Sequence, residues 1–418
     1  KTAEERERSS MASLKYWVWL SMRPGIGAAA LNRLLEWFGS PEQAFFADEK
    51  LYADLPGLKK SDMAALCDKN LLPARKALDD CEENGYRIVT LGDGEYPSRL
   101  RNIPDPPVVI YVRGRLPVMD EEAAVAVVGT RSCTAYGTIT AERMGYDLTR
   151  HGCLVVTGLA RGVDSAAARG ALRAGGRVVG VVGSGLDIVY PPENRQLFED
   201  VAAQGAVISE YPPGTPAAGE HFPQRNRLIS GISAGVVVVE APPKSGALIT
   251  ASHALEQGRD VYAVPGNVDS PGSEGPNKLI REGAALVTSG KEIAEDYKAL
   301  YPHRIQFGRK IVALEERQAE KLIASVTVKK RQKPPKKEID NDKSVEYIDL
   351  VKLKECLGTD EFSVVSALGP RTKHIDEIID ECGLTAGTVL SALTMLELGG
   401  YVEQMKGKYF KLRYELKK

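Results

Sequence analysis

Between residues 86 and 300, short apolar runs alternate with longer segments that mix polar and apolar residues. The runs are AVAVVG, CLVVTG, RVVGVVG, AVISE, GVVVVEA, DVYAVPG and AALVTSG. Runs that are apolar throughout are typical of parallel strands buried on both faces, and the glycines that close several intervening segments are typical helix ends. The alternation predicts an α/β domain with a doubly wound, mostly parallel sheet. Residues 86–114 ahead of it predict a strand pair added at one edge.

Residues 11–85 show the helical spacing of apolar positions instead. Turns at Pro24–Gly27 and Pro56–Gly57 each precede a helical segment, which predicts a small domain of the helix-hairpin-helix or SAM-like type. Glycine turns in such hairpins can hold DNA phosphates through backbone amides. We favour a plain packing domain, because only the second turn is followed by cations, Lys59 and Lys60. Residues 1–10 are expected to be a disordered extension.

The C-terminal part changes character twice. Residues 301–345 hold twelve Lys and Arg against six Asp and Glu, and the proline-rich stretch KKRQKPPKKE predicts a basic linker without a core. Residues 346–418 show three helical segments and then YVEQMKGKYFKL, the outline of a winged-helix domain. The helix expected to read DNA begins near Thr385 and carries no Arg or Asn in its first turn. We therefore favour a protein-binding role for this domain over duplex reading.

Composition narrows the function classes. The chain has 418 residues and a net charge of -1, so any binding to a polyanion depends on local patches of cations. Its six cysteines are scattered and its histidines lack metal-ligand spacing, which favours a reducing compartment and predicts no metal site. No apolar run is long enough to span a membrane. We expect a cytoplasmic protein.

The turn after the first central strand, GTRSCTAYG, carries the first chemical signal. A dinucleotide-binding turn would place glycines two and five residues after Gly129, where this chain has Arg131 and Thr134. This makes an oxidoreductase the weakest of the enzyme interpretations. A guanidinium in that position suits a phosphate, because its fork matches two phosphate oxygens.

Other polar residues also follow predicted strands, and the carboxyl ends of parallel strands meet at one edge of a sheet. The candidate phosphate-binding residues are Gly129, Thr130, Arg131, Ser132, Gly158, Arg161, Gly162, Arg225, Arg227, Lys244, Ser245 and Gly246. Several cations among Gly and Ser donors suit a sugar-phosphate backbone better than a single cofactor. Nearby aromatic residues could stack on unpaired bases; these are Tyr136, Tyr190, Tyr211 and Phe222.

Each signal has a structural alternative. Arg131 could form a salt bridge with Asp164, and Arg225 and Arg227 could be buried in carboxylate pairs. The carboxylates near strand ends could serve as acid or base, or could clamp arginines and backbone amides. They are Asp164, Asp187, Glu210 and Glu240.

Five motifs together resemble the DNA-processing protein A (DprA/Smf) family over about residues 125–290. They are VVGTRSCTAYG, VVTGLARGVDSAAARGAL, VVGSGLDIVYPPENRQLF, SEYPPGTPAAGEHFPQRNRLISG and VVVVEAPPKSGALITASHALEQGRDVYAVPGNVDSPGSEGPNKLIREGA. The resemblance implies a Rossmann-like fold that binds single-stranded DNA, forms a homodimer and hands the strand to the RecA recombinase during natural transformation. It implies no catalytic residue and no cofactor.

Carried over by position, Arg131 and Lys244 would be the principal DNA contacts, and the glycines, serines and Arg161 of the same turns would line the pocket. The chain departs from the family at Ala168, where a histidine is frequent, and before His221, where some members carry a lysine. The second departure removes one expected phosphate contact.

The alternative function is that of a nucleoside-monophosphate phosphoribohydrolase, a related Rossmann-like enzyme. That family uses a PGGxGTxxE turn whose glutamate acts on the glycosidic bond. Here the corresponding segment reads PPKSGALITASHALEQ, with no glutamate before Glu256. The sequence therefore disfavours hydrolysis.

Overall fold

A computed structural model describes residues 13–307, 347–349, 358–369, 372–398, 401–405, 409–412 and 415–417. The chain divides after Lys330 into two compact units. The extension predicted for residues 1–10, and the predicted basic linker from residue 308 onward, lie outside the described residues.

The first unit opens with a group of helices ahead of the sheet. They are α1 (13–21), α2 (Ala28–Phe38), α3 (Pro41–Phe46), α4 (Glu49–Ala53), α5 (Lys60–Cys67) and α6 (Leu72–Asn84). The predicted turns lie in the α1–α2 and α4–α5 connections. Trp19 and other buried side chains of these helices join the apolar cluster that contains Tyr111 and Val125 of the sheet. The helical region therefore packs onto one face of the sheet.

A nine-stranded sheet forms the centre of this unit. Its strands are β1 (Arg87–Thr90), β2 (Val109–Gly114), β3 (Ala124–Val128), β4 (Leu154–Thr157), β5 (Val178–Val182), β6 (Ala206–Ser209), β7 (Gly235–Val238), β8 (Asp260–Ala263) and β9 (Ala285–Leu286). Their order is β1-β2-β6-β5-β4-β3-β7-β8-β9. The pairs from β6 to β9 are parallel, whereas β1 with β2 and β2 with β6 are antiparallel. The predicted doubly wound sheet is confirmed, with the added strand pair at one edge.

Helices cover both faces of the sheet. They are α7 (Ser98–Arg101), α8 (Ala135–Arg150), α9 (Val163–Arg173), α10 (Arg195–Gln204), α11 (His221–Ile232), α12 (Gly246–Glu256), α13 (Pro271–Arg281) and α14 (Gly290–Tyr297). Successive residues of a strand point to opposite faces. Thus Val125 and Val127 of β3 share an apolar cluster with α8, α9, α10 and α14. Ala126 and Val128 join the second cluster, with α7, α11 and α12.

One strand differs from its prediction. The AALVTSG run was expected to be buried on both faces, yet both residues of β9 are exposed. Because β9 is the last strand of the sheet, only β8 covers it from the side. A run of apolar residues does not by itself tell whether a strand is central or at an edge.

The second unit contains the predicted three helices and a hairpin. Its elements are β10 (Tyr347–Asp349), α15 (Thr359–Leu368), β11 (Lys373–His374), α16 (Ile375–Cys382), α17 (Ala386–Leu398), β12 (Val402–Met405), β13 (Tyr409–Leu412) and β14 (Glu415–Lys417). Strands β12 and β13 form the wing, and the three helices bury an apolar core with Val402 and Phe410. In the described residues no single helix is long and apolar enough to cross a membrane, although the bent pair Ile375–Cys382 and Ala386–Glu397 meets that length and composition when taken together.

Candidate nucleic-acid interface

A groove of the first unit lies at the point in the sheet where the strand order reverses direction. From β3 the chain moves to β4 on one side and later to β7 on the other. At such a switch point the loops leaving adjacent strands separate and open a crevice beyond the carboxyl ends of the strands, the usual ligand site of open parallel sheets. The groove has a volume of about 580 Å³. Its walls include Gly129, Thr130, Arg131, Asp164, Phe222, Arg225, Asn226, Ser245 and Gly246.

Arg131 projects from the loop after β3 and is exposed. Its guanidinium carbon lies 4.7 Å from the centre of the Phe222 ring, a cation–π contact. In the described residues it forms no ion pair, so the predicted alternative, a salt bridge to Asp164, is not present. Gly129 at the start of the loop has no room for a side chain, because an added Cβ would lie 2.5 Å from Val163. The glycine lets the strand end meet α9 closely.

Phe222 also contacts Tyr190, whose ring centre lies 5.4 Å from that of Phe222. Both side chains line the groove. Aromatic rings beside an exposed guanidinium offer a stacking surface next to a phosphate contact. The two other predicted aromatic residues have internal partners: the Tyr136 hydroxyl donates to the Pro265 carbonyl, and the Tyr211 ring stacks on His221.

Arg225 lies in the floor of the groove and is only 4% exposed. Its guanidinium donates to the carbonyls of Gly158, at 2.8 Å, and Val181. Burial lowers the pKa of Arg225 to about 10, the neighbouring Asp164 partly offsets this, and the nearby charge of Arg131 lowers the pKa further. The exposed Arg131 and the buried Arg225 thus lie close enough to repel each other, and the Asp164 carboxylate near Arg225 partly compensates the charge.

Asp164 is that carboxylate, and it is buried at the first turn of α9. It accepts a hydrogen bond from the Gly158 amide at 3.1 Å. Burial raises the pKa of Asp164, while Arg225 and the amides of Ala160, Gly158 and Gly129 act in the opposite direction. Through these hydrogen bonds Asp164 connects the loop after β3 to the loop after β4.

Arg161 is exposed but already paired. It contacts Glu193 through two nitrogens, one of them at 3.1 Å, and its guanidinium lies over Tyr190. With Gly158, Arg131 and Arg225 it lines a small recess next to the groove. A buried side chain stabilises the loop of Arg161: the Asn194 amide donates to the carbonyl oxygen of Leu159. Leu159 has a positive φ of 51°, which is uncommon for a residue other than glycine.

Arg227 lies on the buried side of α11 and does not line the groove. It pairs with Asp105 at 2.9 Å and with Glu210 at 2.8 Å. The alternative that the two α11 arginines are buried in carboxylate pairs therefore holds for Arg227. For Arg225 only the burial holds, because Arg225 also borders the groove. We do not include Arg227 among the ligand contacts.

Lys244 stands in an exposed turn between β7 and α12, next to Ser245 and Gly246, which line the groove. In this turn the Ser245 amide donates a hydrogen bond to the Pro242 carbonyl oxygen, and the Ser245 hydroxyl caps α12 by accepting a hydrogen bond from the Ala247 amide. Ser132, Gly162 and Lys244 lie in groove-forming loops without bordering the two cavities.

The remaining predicted carboxylates act as clamps. Asp187 accepts two hydrogen bonds from the Gly214 amide, Glu210 pairs with Arg227, and Glu240 bonds to Thr134. Within the described part of the chain, no group of three or more His, Cys, Asp or Glu residues is placed to hold a metal ion.

The groove also contains residues that are not among the predicted site residues. They include Ala160, Ala217, Gly219, Pro223, Asn226, Ile249 and Thr250. Asn226 is the most instructive: its amide donates to the Gly246 carbonyl at 3.1 Å and so ties α11 to the Lys244 turn. Its position between two arginines in QRNR was the available signal.

Known proteins share this architecture and sequence. Residues 87–298 match the family described as DNA recombination-mediator protein A, and residues 355–408 match the DprA winged helix domain. Protein Smf of Synechocystis sp. is 34% identical over 406 residues, which cover 95% of this chain and 98% of that protein. The chain belongs to the DprA/Smf family. The resemblance drawn from the five motifs is therefore confirmed.

Two further comparisons agree with this family. DNA processing protein DprA of Bacillus subtilis is 41% identical over 214 residues, 51% of this chain and 72% of its own. The X-ray structure of DNA processing protein A from Streptococcus pneumoniae matches with a TM-score of 0.60 at 32% identity, and covers 70% of this chain and 98% of that one. The match over most of the pneumococcal chain supports the predicted Rossmann-like fold.

Proposed function

We propose that this protein binds single-stranded DNA in the groove at the β3–β7 switch point. The observation that carries the proposal is the pairing of Arg131 with Phe222 at the groove wall. The guanidinium can hold a backbone phosphate with two hydrogen bonds, while the rings of Phe222 and Tyr190 that line the groove can receive an unpaired base. Phosphate binding combined with stacking tolerates any base sequence.

Electrostatics support an anionic ligand. Arg225 is buried beside Arg131 and its pKa is lowered by burial, with Asp164 as the carboxylate that offsets it. A phosphate in the groove would add the negative charge that this pair of cations lacks. The exposed Lys244 in the neighbouring turn would meet a second phosphate of the same strand.

Hydrolysis is the second candidate, and the groove does not favour it. Among the described residues that line the groove, Asp164 is the one carboxylate, and it is buried against backbone amides. Glu256 lies in the last turn of α12, away from the groove wall. A glycosidic bond in the groove would thus find no free acid or base. Members of the DprA family are DNA-binding proteins and not enzymes.

The partners follow from the same proposal. We infer that the bound strand is passed to the RecA recombinase during natural transformation, which suits a family described as a recombination mediator. We also infer a homodimer formed through the Rossmann-like domain. The open edge at β9, where Leu286 is 51% exposed, supports an interface there because an uncovered apolar edge strand favours pairing. Because transfer of DNA to the recombinase takes place in the cytoplasm, we infer that this protein is cytoplasmic.

The test is a salt titration of binding to a fluorescent oligothymidylate. We expect the affinity to fall linearly in log–log terms, with a slope of about -0.7 per neutralised phosphate. Arg131→Ala should weaken binding by about tenfold or more, the loss of a charge-assisted contact worth roughly 1.5–3 kcal/mol. Lys244→Ala should act similarly. Arg131→Lys should restore only part of the affinity, because an ammonium cannot make the two-pronged contact.

Arg173→Ala is the matched control, since Arg173 is an exposed cation in the last turn of α9, at the far end of that helix from the groove. Melting temperatures measured on the same samples separate loss of contact from loss of fold. A preference for duplex DNA, or an Arg131→Ala/Lys244→Ala variant with unchanged affinity, contradicts the proposal.

A further inference from the structure

The loop from Thr130 to Thr134, which connects β3 to α8 and carries Arg131, is held at both ends by one residue. The Thr130 amide donates to the Glu240 carbonyl oxygen at 2.7 Å. At the other end, the Thr134 amide and hydroxyl donate to the two carboxylate oxygens of Glu240, at 2.9 and 2.6 Å. Within the loop, the Ser132 amide donates to the Thr130 hydroxyl.

Glu240 is suited to hold this loop in one place. It is 1% exposed, and among the described residues no Lys or Arg forms an ion pair with it. A buried carboxylate is costly unless it accepts strong hydrogen bonds, so its contacts with Thr134 are charge-assisted and directional. Its position at the amino end of α8 adds a favourable interaction with the helix dipole. A side chain at Gly137 would place its Cβ 2.1 Å from the carboxylate, so glycine is required for this approach.

The same residue also begins the second cationic turn. Glu240 lies two residues after the end of β7, and the chain continues through Pro242 to Lys244 and the capped start of α12. One residue therefore joins the loop of Arg131 to the turn of Lys244. Two cations that bind phosphates of one strand must keep a fixed separation, since each misplacement costs part of the contact.

We propose that Glu240 is a positioning residue for DNA binding, which sets Arg131 relative to the Lys244 turn through its hydrogen bonds to Thr134. This inference rests on the proposed function of the groove. Glu240 itself is buried behind the loop, so its influence on the ligand passes through Arg131.

A double-mutant cycle tests this route. Glu240→Gln places an amide donor opposite the donors of Thr134, and we expect it to weaken oligothymidylate binding about fivefold or more. In an Arg131→Ala background the same change should cost less than about twofold, because the positioned group is already gone. Thr134→Val should weaken binding about threefold or more, whereas Thr134→Ser, which keeps the hydroxyl, should stay within about twofold of the native protein.

Glu122→Gln is the matched control. Glu122 is an equally buried carboxylate, but it precedes β3 at the opposite end of the sheet and pairs with Arg177 and Arg304. We expect it to lower the melting temperature without changing the affinity of the folded protein. If Glu240→Gln does not fold, the exposed Thr134 variants carry the test.

The outcomes are distinct. Three results would overturn the positioning role and leave the groove as the DNA site. The first is that the losses of affinity from Glu240→Gln and Arg131→Ala are additive. The second is native affinity in both Glu240→Gln and Thr134→Val, and the third is that Glu122→Gln weakens binding as much as Glu240→Gln does. Native affinity in Arg131→Ala, or no binding by the native protein, would overturn the proposed function and this inference with it.

Discussion

At the scale of single residues, a cation at a groove is useful only to the extent that its existing partner can be replaced. Arg131 rests on an aromatic ring and, in the part of the chain that the structure describes, forms no ion pair with a carboxylate that a phosphate would have to displace. Arg161 differs, because both members of its ion pair with Glu193 are about half exposed. Exposed pairs of this kind contribute little to stability, so a phosphate can take the place of the Glu193 carboxylate at small cost.

Glu193→Gln should therefore increase affinity for single-stranded DNA by about two- to fivefold, because Arg161 becomes free to bind a phosphate. The salt dependence should steepen by about 0.7, the share of one phosphate on a single strand. A fluorescence titration at several salt concentrations measures both quantities. Glu142→Gln removes an equal charge from the partly exposed Arg173–Glu142 pair and should change neither the affinity nor the salt dependence. Weaker binding by Glu193→Gln would show that the ion pair supports the site.

These residue contacts also explain what the sequence could not predict. Arg131 was a clear candidate because its role depends on a local feature, the turn after a strand. The burial of Arg227 depends on Asp105, which lies 122 residues away, and the pairing of Arg161 depends on Glu193, 32 residues away. No local pattern reports such partners. They become visible only when folding brings the loops after β4 and β5 together, and brings α11 next to the segment between α7 and β2.

At the scale of secondary structure, the groove depends on how closely α8 and α9 approach each other. Both helices follow groove-forming loops: Thr134 is the N-cap residue of α8, and Gly162 is the N-cap residue of α9. They cross at two glycines: a Cβ at Gly145 would lie 2.1 Å from the Ala167 carbonyl oxygen, and a Cβ at Gly170 would lie 1.9 Å from that of Glu142. Only glycine allows two backbones to come so close.

Gly170→Ala tests this packing. In an isolated helix the change would stabilise by up to about 1 kcal/mol, because alanine is the better helix former. Here we expect a loss of about 1–3 kcal/mol in the free energy of unfolding, since the methyl group would force backbone atoms apart. Urea denaturation of the native and variant proteins measures it. Gly387→Ala in α17, where an added Cβ meets nothing within 4 Å, should not destabilise its own unit.

The elements themselves were more predictable than the distances between them. The apolar runs located β3 to β9, because burial on both faces leaves a local signature. They did not reveal that β9 is an exposed edge, or that Gly145 and Gly170 are contact points between two helices. Closeness between helices depends on the partner surface, which the local sequence does not contain.

At the scale of the whole molecule, the last described residues of the first unit, 301–307, lie away from the groove. The Gln306 amide donates to the His151 carbonyl, and a Cβ at Gly152 would lie 2.0 Å from the Arg304 carbonyl oxygen. Arg304 also pairs with Glu121 and Glu122. All these partners precede β3 or β4, at the amino ends of the strands. The five residues of β3, roughly 17 Å of strand, thus separate this segment from the groove.

Removing everything after Phe307 should therefore leave DNA binding intact. The truncation deletes residues 308–345 of the basic stretch, which hold eleven Lys and Arg, and the winged-helix domain. It deletes none of the groove residues. We expect the truncated protein to bind an oligothymidylate within about twofold of the full chain, with the same salt slope. Arg131→Ala should cost the same factor in both lengths. A truncated protein that stays folded but binds much more weakly, with a shallower salt slope, would place the main DNA contacts in the basic stretch and not at the switch point.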